Sequence, residues 1–329
     1  MNIAFIRKEM SYFKKMCIAE NTVEKEYTYS QVCIRELEEF QSDERDCEDR
    51  LFLINIQNKY QILGFKIMID YFKNQGNASV DMDSRITADM LLGIFKEIKI
   101  ENNKVTATYY PFEQGEKKYA FHRIKEDVNV EVTYPIVLNQ DQETMLKWED
   151  VWEQRSKEKT EEQLVKFLSD TEPHLRKYTQ KVLRDNQKVS FKIYDPACST
   201  GKFLEYVKEK FNGAYTIGHD MDENMVRMSK DKVDESACCN AFDSAISQES
   251  VDILVLRFLN YAVVNRLEAK ELFEKLISTV RNGGMIICFG HTPVLLNTSL
   301  FESFGVKVIG KIGYDQSTDS IFQYYVMER

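Results

Sequence analysis

The run Phe191-Lys192-Ile193-Tyr194-Asp195-Pro196-Ala197-Cys198-Ser199-Thr200-Gly201-Lys202-Phe203-Leu204-Glu205-Tyr206-Val207 changes texture twice. Phe191 to Tyr194 reads as a buried strand, Asp195 to Gly201 as a tight loop of small residues, and Lys202 to Val207 as the opening of a helix. Such a loop lets a ligand approach the backbone. The helix N-terminus, with its unpaired amides, favours a negative group such as a carboxylate. Gly201 tolerates a dihedral or a contact that a side chain forbids.

Downstream, Ala214 to Gly218 predicts a second strand, ending in His219-Asp220-Met221-Asp222-Glu223-Asn224-Met225. Asp220 lies 19 residues after Gly201. In nucleotide-binding folds an acid at the end of the second strand accepts hydrogen bonds from ribose hydroxyls. A third short segment, Ala237 to Phe242, runs into Asp243. Val251 to Leu256 is a fourth strand, with Arg257-Phe258-Leu259-Asn260-Tyr261 at its carboxyl end. A helix is expected over Glu268 to Val280, a turn at Asn282-Gly283-Gly284, a fifth strand over Met285 to Phe289, and closing strands over Phe301 to Ile309 and Ile321 to Met327. Alternation of strand and helix makes this an α/β architecture.

This order resembles the class I S-adenosylmethionine-dependent methyltransferases over about residues 160–329. The family's first loop carries an acid and three alternating glycines. The matching positions here are Asp195, Ala197, Ser199 and Gly201, so only the last glycine is kept. The run Asp195-Pro196-Ala197-Cys198 with Thr200-Gly201 and Phe203-Leu204 looks like the loop of the adenine-N6 DNA methyltransferases. The resemblance implies a Rossmann-like, mostly parallel seven-stranded sheet with helices on both faces and an antiparallel final strand. It implies S-adenosyl-L-methionine as cofactor, held by Asp195, Ala197, Cys198, Ser199, Gly201, Asp220, Met221, Phe242, Asp243 and Arg257. A nicotinamide Rossmann domain fits less well, because no Gly-x-Gly-x-x-Gly run is present.

The DNA-methylating enzymes carry an Asn or Asp, two prolines and an aromatic after the fourth strand. Here Arg257 to Tyr261 holds no proline. The chain carries 44 Lys plus Arg against 53 Asp plus Glu, a net charge of -9, and shows no basic stripe. A small-molecule acceptor is therefore expected rather than a nucleic acid. A sulfonium methyl is already activated, so transfer asks mainly for alignment and exclusion of water, with a general base only where the acceptor must lose a proton. Candidates on the acceptor side are Arg257 for a substrate carboxylate, Tyr261 and Phe258 against the sulfonium, His291 as base, and Tyr178 and His174 as a lid. One alternative needs no second substrate: the cofactor's own amine attacks its γ-carbon, closing a four-membered azetidine ring and releasing methylthioadenosine. Another is a cofactor-binding scaffold without turnover.

The 329 residues suffice for about two domains, and 43% hydrophobic content excludes a disordered chain. No apolar run reaches membrane-span length, and Arg7, Lys8 and Glu9 interrupt any signal-peptide pattern, so a cytoplasmic protein without membrane partners is expected. Seven cysteines without C-x-x-C spacing argue for free thiols rather than disulfides or a metal site. Nine of 13 glycines lie at or after Gly201, and no proline precedes Pro111, so the halves are built differently. Residues 1–140 are expected to form an α+β domain capping the acceptor pocket. In it, Ile6 to Cys17, Tyr29 to Phe40 and Ser79 to Phe95 read as helices. Leu51 to Ile56 with Gln61 to Ile69 reads as a hairpin, and Glu97 to Ile100, Val105 to Tyr110, Tyr119 to Ile124 and Val128 to Tyr134 as strands. Residues 141–329 open on helices carrying Trp148 and Trp152, a capping box at Thr160 and Gln163, and a start at Pro173.

Overall fold

A computed structural model describes residues 22–29, 32–40, 51–56, 60–66, 84–101, 104–127, 129–133, 160, 162–166, 172–186, 188–260, 263–290 and 292–329. The chain divides into two compact units. One is Met1–Gln140 with Gln316–Phe322; the other is Asp141–Asp315 with Gln323–Arg329.

The first unit carries seven strands: β1 (Thr22–Tyr29), β2 (Val32–Phe40), β3 (Leu51–Ile56), β4 (Tyr60–Phe65), β5 (Leu91–Glu101), β6 (Lys104–Pro111) and β7 (Glu131–Thr133). They lie in the order β1-β2-β6-β5-β4-β3-β7, every pairing antiparallel. Leu51, Leu53, Leu63, Phe65, Leu92, Ala107 and Tyr109 form its core. Helix α1 (Gln114–Glu126) buries Lys117, Phe121 and Ile124, spaced four and three apart on one stripe.

Three expectations are corrected here. Tyr29 to Phe40 is not a helix. From Val32 on it is strand β2, which pairs with β1 on one side and β6 on the other, and that pairing decides against the helical spacing. Ser79 to Phe95 is not a helix in its described part, where a 3-10 turn at Ala88–Met90 leads directly into β5. Leu91 and Ile94 fit either period, and pairing with two neighbouring strands decides for the sheet. Tyr119 to Ile124 is helical rather than a strand. Its start is fixed by a capping box in which the Glu113 amide donates to the Glu116 carboxylate at 2.7 Å. The expected helix over Ile6 to Cys17 lies outside the described residues.

The second unit holds β8 (Ser190–Asp195), β9 (Gly213–Asp220), β10 (Glu235–Cys238), β11 (Val251–Leu256), β12 (Val280–Phe289), β13 (Lys307–Asp315) and, from Gln323 on, β14 (Ser320–Glu328). Their order is β10-β9-β8-β11-β12-β14-β13. The first five are mutually parallel, and β14 runs antiparallel to β12. The interleaved helices are α2 (Pro173–Asp185), α3 (Lys202–Lys210), α4 (Glu223–Ser229), α5 (Arg266–Ile277) and α6 (Thr298–Ser303). Ahead of them the predicted capping box is present: Gln163 donates its amide to Thr160 Oγ1 and accepts from the Thr160 amide.

Several boundaries differ from the sequence reading. The helix expected over Glu268 to Val280 spans Arg266–Ile277, and Val280 opens β12. The segment expected over Ala237 to Phe242 is strand only to Cys238, with a 3-10 turn at Ala241–Asp243. Asn282-Gly283-Gly284 lies inside β12 rather than before it. The strand absorbs a register shift there, with Gly283 at φ 71°. Phe301 belongs to α6, capped by Asn297, and β13 begins only at Lys307. The strand order reverses between β8 and β11, which opens a crevice at their carboxyl ends.

Candidate active site at the carboxyl ends of β8, β9 and β11

The loop between β8 and α3 is pinned from three sides. Asp195 is fully buried, and its Oδ1 accepts from the Ala197 amide at 3.1 Å, folding the loop back on itself. Across the sheet reversal stands Arg257, just past β11. Its Nε donates to Asp195 Oδ2 at 2.7 Å and its Nη1 to Glu172 Oε1 at 2.8 Å, while Nη2 reaches the carbonyls of Ala197 and Cys198 at 3.3 and 3.2 Å. The guanidinium also stacks on the Phe203 ring, 4.9 Å from its centroid. Burial raises the Asp195 carboxyl above its ordinary value, and Arg257 opposes that rise. Burial works against the charge on Arg257, but the Asp195 and Glu172 carboxylates more than compensate and raise its pKa.

From the other side, the Cys198 amide donates to the His219 carbonyl at 2.7 Å and the Ser199 amide to Asp220 Oδ2 at 2.8 Å. Ser199 sits at φ 52°, a left-handed conformation that non-glycine residues rarely adopt. Gly201 is also left-handed, at φ 75°, and a Cβ there would lie 2.8 Å from Ser229 Cβ. The retained glycine is therefore required both by backbone conformation and by the close approach of α4.

Asp220 ends β9 and accepts the amides of Ser199 and Asp222, one on each oxygen. Each oxygen keeps a second lone pair for a hydroxyl. Burial pushes its carboxyl up to about 6, against the lowering effect of those two amides. Met221 beside it is 64% exposed. Asp243 closes a 3-10 turn after β10, in which the Asn240 side chain accepts the Phe242 amide at 2.9 Å. Phe242 is half-buried and Asp243 exposed. Behind this edge, His219 Nδ1 lies 3.1 Å from the Tyr194 hydroxyl and 3.3 Å from Cys239 Sγ, and Tyr194 also bonds Ser244 at 2.7 Å. Burial lowers the pKa of His219, which favours the neutral ring. Cys198, Cys238, Cys239 and Cys288 are free thiols.

The acceptor candidates separate. Tyr261 and His291 lie outside the described residues. Their chain neighbours Asn260 and Thr292 are joined, the Thr292 hydroxyl donating to Asn260 Oδ1 at 2.6 Å. Asn260 Nδ2 donates to the Arg257 carbonyl at the same distance. The buried Asn260 amide is thus engaged in tying the ends of β11 and β12. Tyr178, on α2, donates its hydroxyl to the Ile312 carbonyl and packs edge-on against Tyr324 at 4.8 Å. His174 is buried on the same helix, and Phe258 is buried beyond β11. Trp148 and Trp152 lie outside the described residues. Sequence reasoning missed Glu172, 85 positions from the arginine it grips, because nothing local to Glu172-Pro173 announces a partner that distant.

A methyltransferase-domain family profile matches residues 194–288. Isonocardicin synthase of Nocardia uniformis subsp. tsuyamanensis is 30% identical over 252 residues, covering 74% of this chain and 79% of that protein. The aligned length exceeds the second unit, so the similarity runs into the first. Solved structures similar to this chain include a SAM-dependent methyltransferase from Aquifex aeolicus, with 14% identity, a TM-score of 0.39, and coverage of 52% of this chain and 100% of that one. The plantazolicin methyltransferase BpumL in complex with SAH is 15% identical with a TM-score of 0.40, covering 54% of this chain and 93% of that one. Among the described residues, no helix is long and apolar enough to cross a membrane. The reversed parallel sheet, the β8 loop with Asp220 beside it, and an alignment that spans most of both proteins have one common reading: the chain belongs to the class I S-adenosylmethionine-dependent methyltransferase family.

Proposed function

We propose that the protein binds S-adenosylmethionine at the β8 loop and moves one substituent of its sulfonium onto a small molecule, methyl transfer being the first reading. The observation that carries this is the paired arrangement of the loop and Asp220: small residues at Ala197 and Ser199, a left-handed Gly201, and a carboxylate with free lone pairs one hydrogen bond away. The residues present fit the cofactor. Asp220 would hold the ribose, Met221 and Phe242 the adenine faces, Asp243 its amino edge, and the backbone of Ala197 to Ser199 the amino-acid tail. When bound, S-adenosylmethionine supplies a sulfonium whose carbon substituents are open to displacement.

The chain's own residues bind, orient and exclude water. Arg257 and Glu172 are positioning residues, because they hold the loop carbonyls rather than a reacting atom. Tyr261 and His291, past the joined ends of β11 and β12, remain the candidates to face the acceptor. Acceptor choice is assigned to the first unit. The expectations of a small-molecule acceptor and a cytoplasmic setting are kept as part of this proposal.

A second reading is favoured by one observation: the relative whose similarity extends into the first unit is named a synthase. Displacement at the γ-carbon of the amino-acid chain, by its own amine to close an azetidine or by an external nucleophile, would release methylthioadenosine. Incubation with S-adenosylmethionine, alone and with a panel of small acceptors, separates the cases by nucleoside product. S-adenosylhomocysteine formed only with an acceptor supports methyl transfer. Methylthioadenosine supports the second reading. Binding without turnover points to the scaffold, and absence of binding overturns the proposal.

A further inference from the structure

The turn that carries Phe242 and Asp243 is fastened at both ends to strands whose tips form the rest of the candidate site. At its entry the Cys239 amide donates to the Asp220 carbonyl at 3.0 Å, extending the pairing of Cys238 with Asp220. Inside it the Asn240 side chain accepts the Phe242 amide, and the Asn240 carbonyl accepts the Asp243 amide at 2.8 Å. Lys275, on α5, donates to the Phe242 carbonyl. At its exit the Ser244 hydroxyl meets the Tyr194 hydroxyl at 2.7 Å, 50 positions away in the chain. Of the three residues in the turn only Ala241 is buried. Little apolar packing fixes the turn, so its place depends on these polar fastenings.

Tyr194 has the reach this requires. It is fully buried on β8, one residue before Asp195, and β9 lies between β8 and β10 in the sheet. Its side chain spans the end of β9, the ring edge-on to His219 at a centroid distance of 5.0 Å, and touches the segment that follows β10. The hydroxyl also lies 3.1 Å from His219 Nδ1. Burial raises its pKa, so the phenol keeps its proton. A hydroxyl with one hydrogen and two lone pairs can serve both partners. Phenylalanine would fill the same space, and only the hydroxyl reaches the turn. Resting on the cofactor reading above, we infer that Tyr194 is a positioning residue for base recognition: through Ser244 it holds Asp243 where that carboxylate accepts the exocyclic amine of adenine. Being fully buried, Tyr194 acts through Ser244 rather than on the ligand.

Calorimetry with S-adenosylhomocysteine and S-inosylhomocysteine, in which a carbonyl oxygen replaces the 6-amino group, tests the inference. Wild type should prefer the adenine ligand, and Asp243→Ala should remove most of that preference. Ser244→Ala and Tyr194→Phe should each weaken S-adenosylhomocysteine about three- to tenfold, the worth of one hydrogen bond, and leave S-inosylhomocysteine nearly unchanged. Ser244→Thr, which keeps the hydroxyl, should bind as wild type does. In the Asp243→Ala background, Ser244→Ala should have no further effect on the preference, because it acts through that carboxylate. Wild type without the preference overturns the inference and leaves the cofactor reading standing. So do variants that keep the full preference, that weaken both ligands equally, or that act undiminished in the Asp243→Ala background. Wild-type protein that binds neither ligand overturns both.

Discussion

Replacing Arg257 by methionine tests how the loop is held. The substitution keeps much of the side-chain volume and removes a charge that neutralises two carboxylates with exposures of 0% and 4%. Glu172 retains Arg176, but Asp195 keeps only the Ala197 amide. Leaving a buried charge without its partner costs about 3–5 kcal/mol, which in a unit of this size lowers the melting temperature by roughly 6–20 °C. The loss has a definite pH dependence. Asp195 already has a raised pKa because it is buried, and removing Arg257 takes away the main opposing effect. An acid whose folded pKa lies above its unfolded value withdraws stability as pH rises through the folded pKa and costs nothing once protonated. The deficit of Arg257→Met should therefore be larger at alkaline pH, where Asp195 is ionised, than at acidic pH, where it is protonated. Thermal unfolding of the full chain at both pH values, beside wild type, measures it. The triple change Arg257→Met, Asp195→Asn, Glu172→Gln, which removes the stranded charges together, should regain much of the stability at high pH. An equal deficit at both pH values, or a loss under about 1 kcal/mol, would refute the view that the loop is clamped by a buried ion network.

Asp220, with its carboxyl raised to about 6, must be ionised to accept ribose hydroxyls at full strength. S-adenosylhomocysteine affinity should climb as pH rises to about 6 and then level off, and Asp220→Asn should be weak and flat across the range. A wild-type profile without that break removes Asp220 from the site. Gly201→Ala places a methyl 2.8 Å from Ser229 in a left-handed conformation and should cost about 2–4 kcal/mol in urea titrations, with loss of nucleoside binding. An alanine variant as stable as wild type would show that the turn is free to open.

How much of this was legible in the sequence depends on range. The second sheet was readable because each strand is a short apolar run that ends in its own punctuation, as Tyr194-Asp195-Pro196 or Gly218-His219-Asp220 does. The first unit was not. Ile86, Met90, Leu91 and Ile94 satisfy a helical period, yet β5 is held by β4 and β6, and cross-strand pairing of that kind leaves no mark in a local window. Tyr119 to Ile124 misled in the opposite sense: the residues that decide for a helix are Glu113 and Glu116 upstream of the apolar stretch, capping each other. The glycines of β12 were read as a turn because a bulge inside a strand and a turn before one use the same residues.

The site divides along the same line. Asp195, Ser199, Gly201 and Asp220 follow one another within two strand-loop units, so their roles could be proposed from spacing. Arg257 was readable as a residue near the crevice, but not as the residue that spends its charge on Asp195 and Glu172. That use changes what the first acid of the loop can do. Asp195 is fully buried, and both its oxygens are already bonded, to Arg257 and to the Ala197 amide. It shapes the loop and has little left to offer a bound tail. Since the network around the loop is balanced in charge, it suits a zwitterion and gives no reason to prefer one sulfonium carbon over another. The choice among methyl, γ-carbon and acceptor must be made by groups outside this network. On the proposed reading the candidates are Tyr261, His291 and the first unit, into which the similarity to the synthase runs.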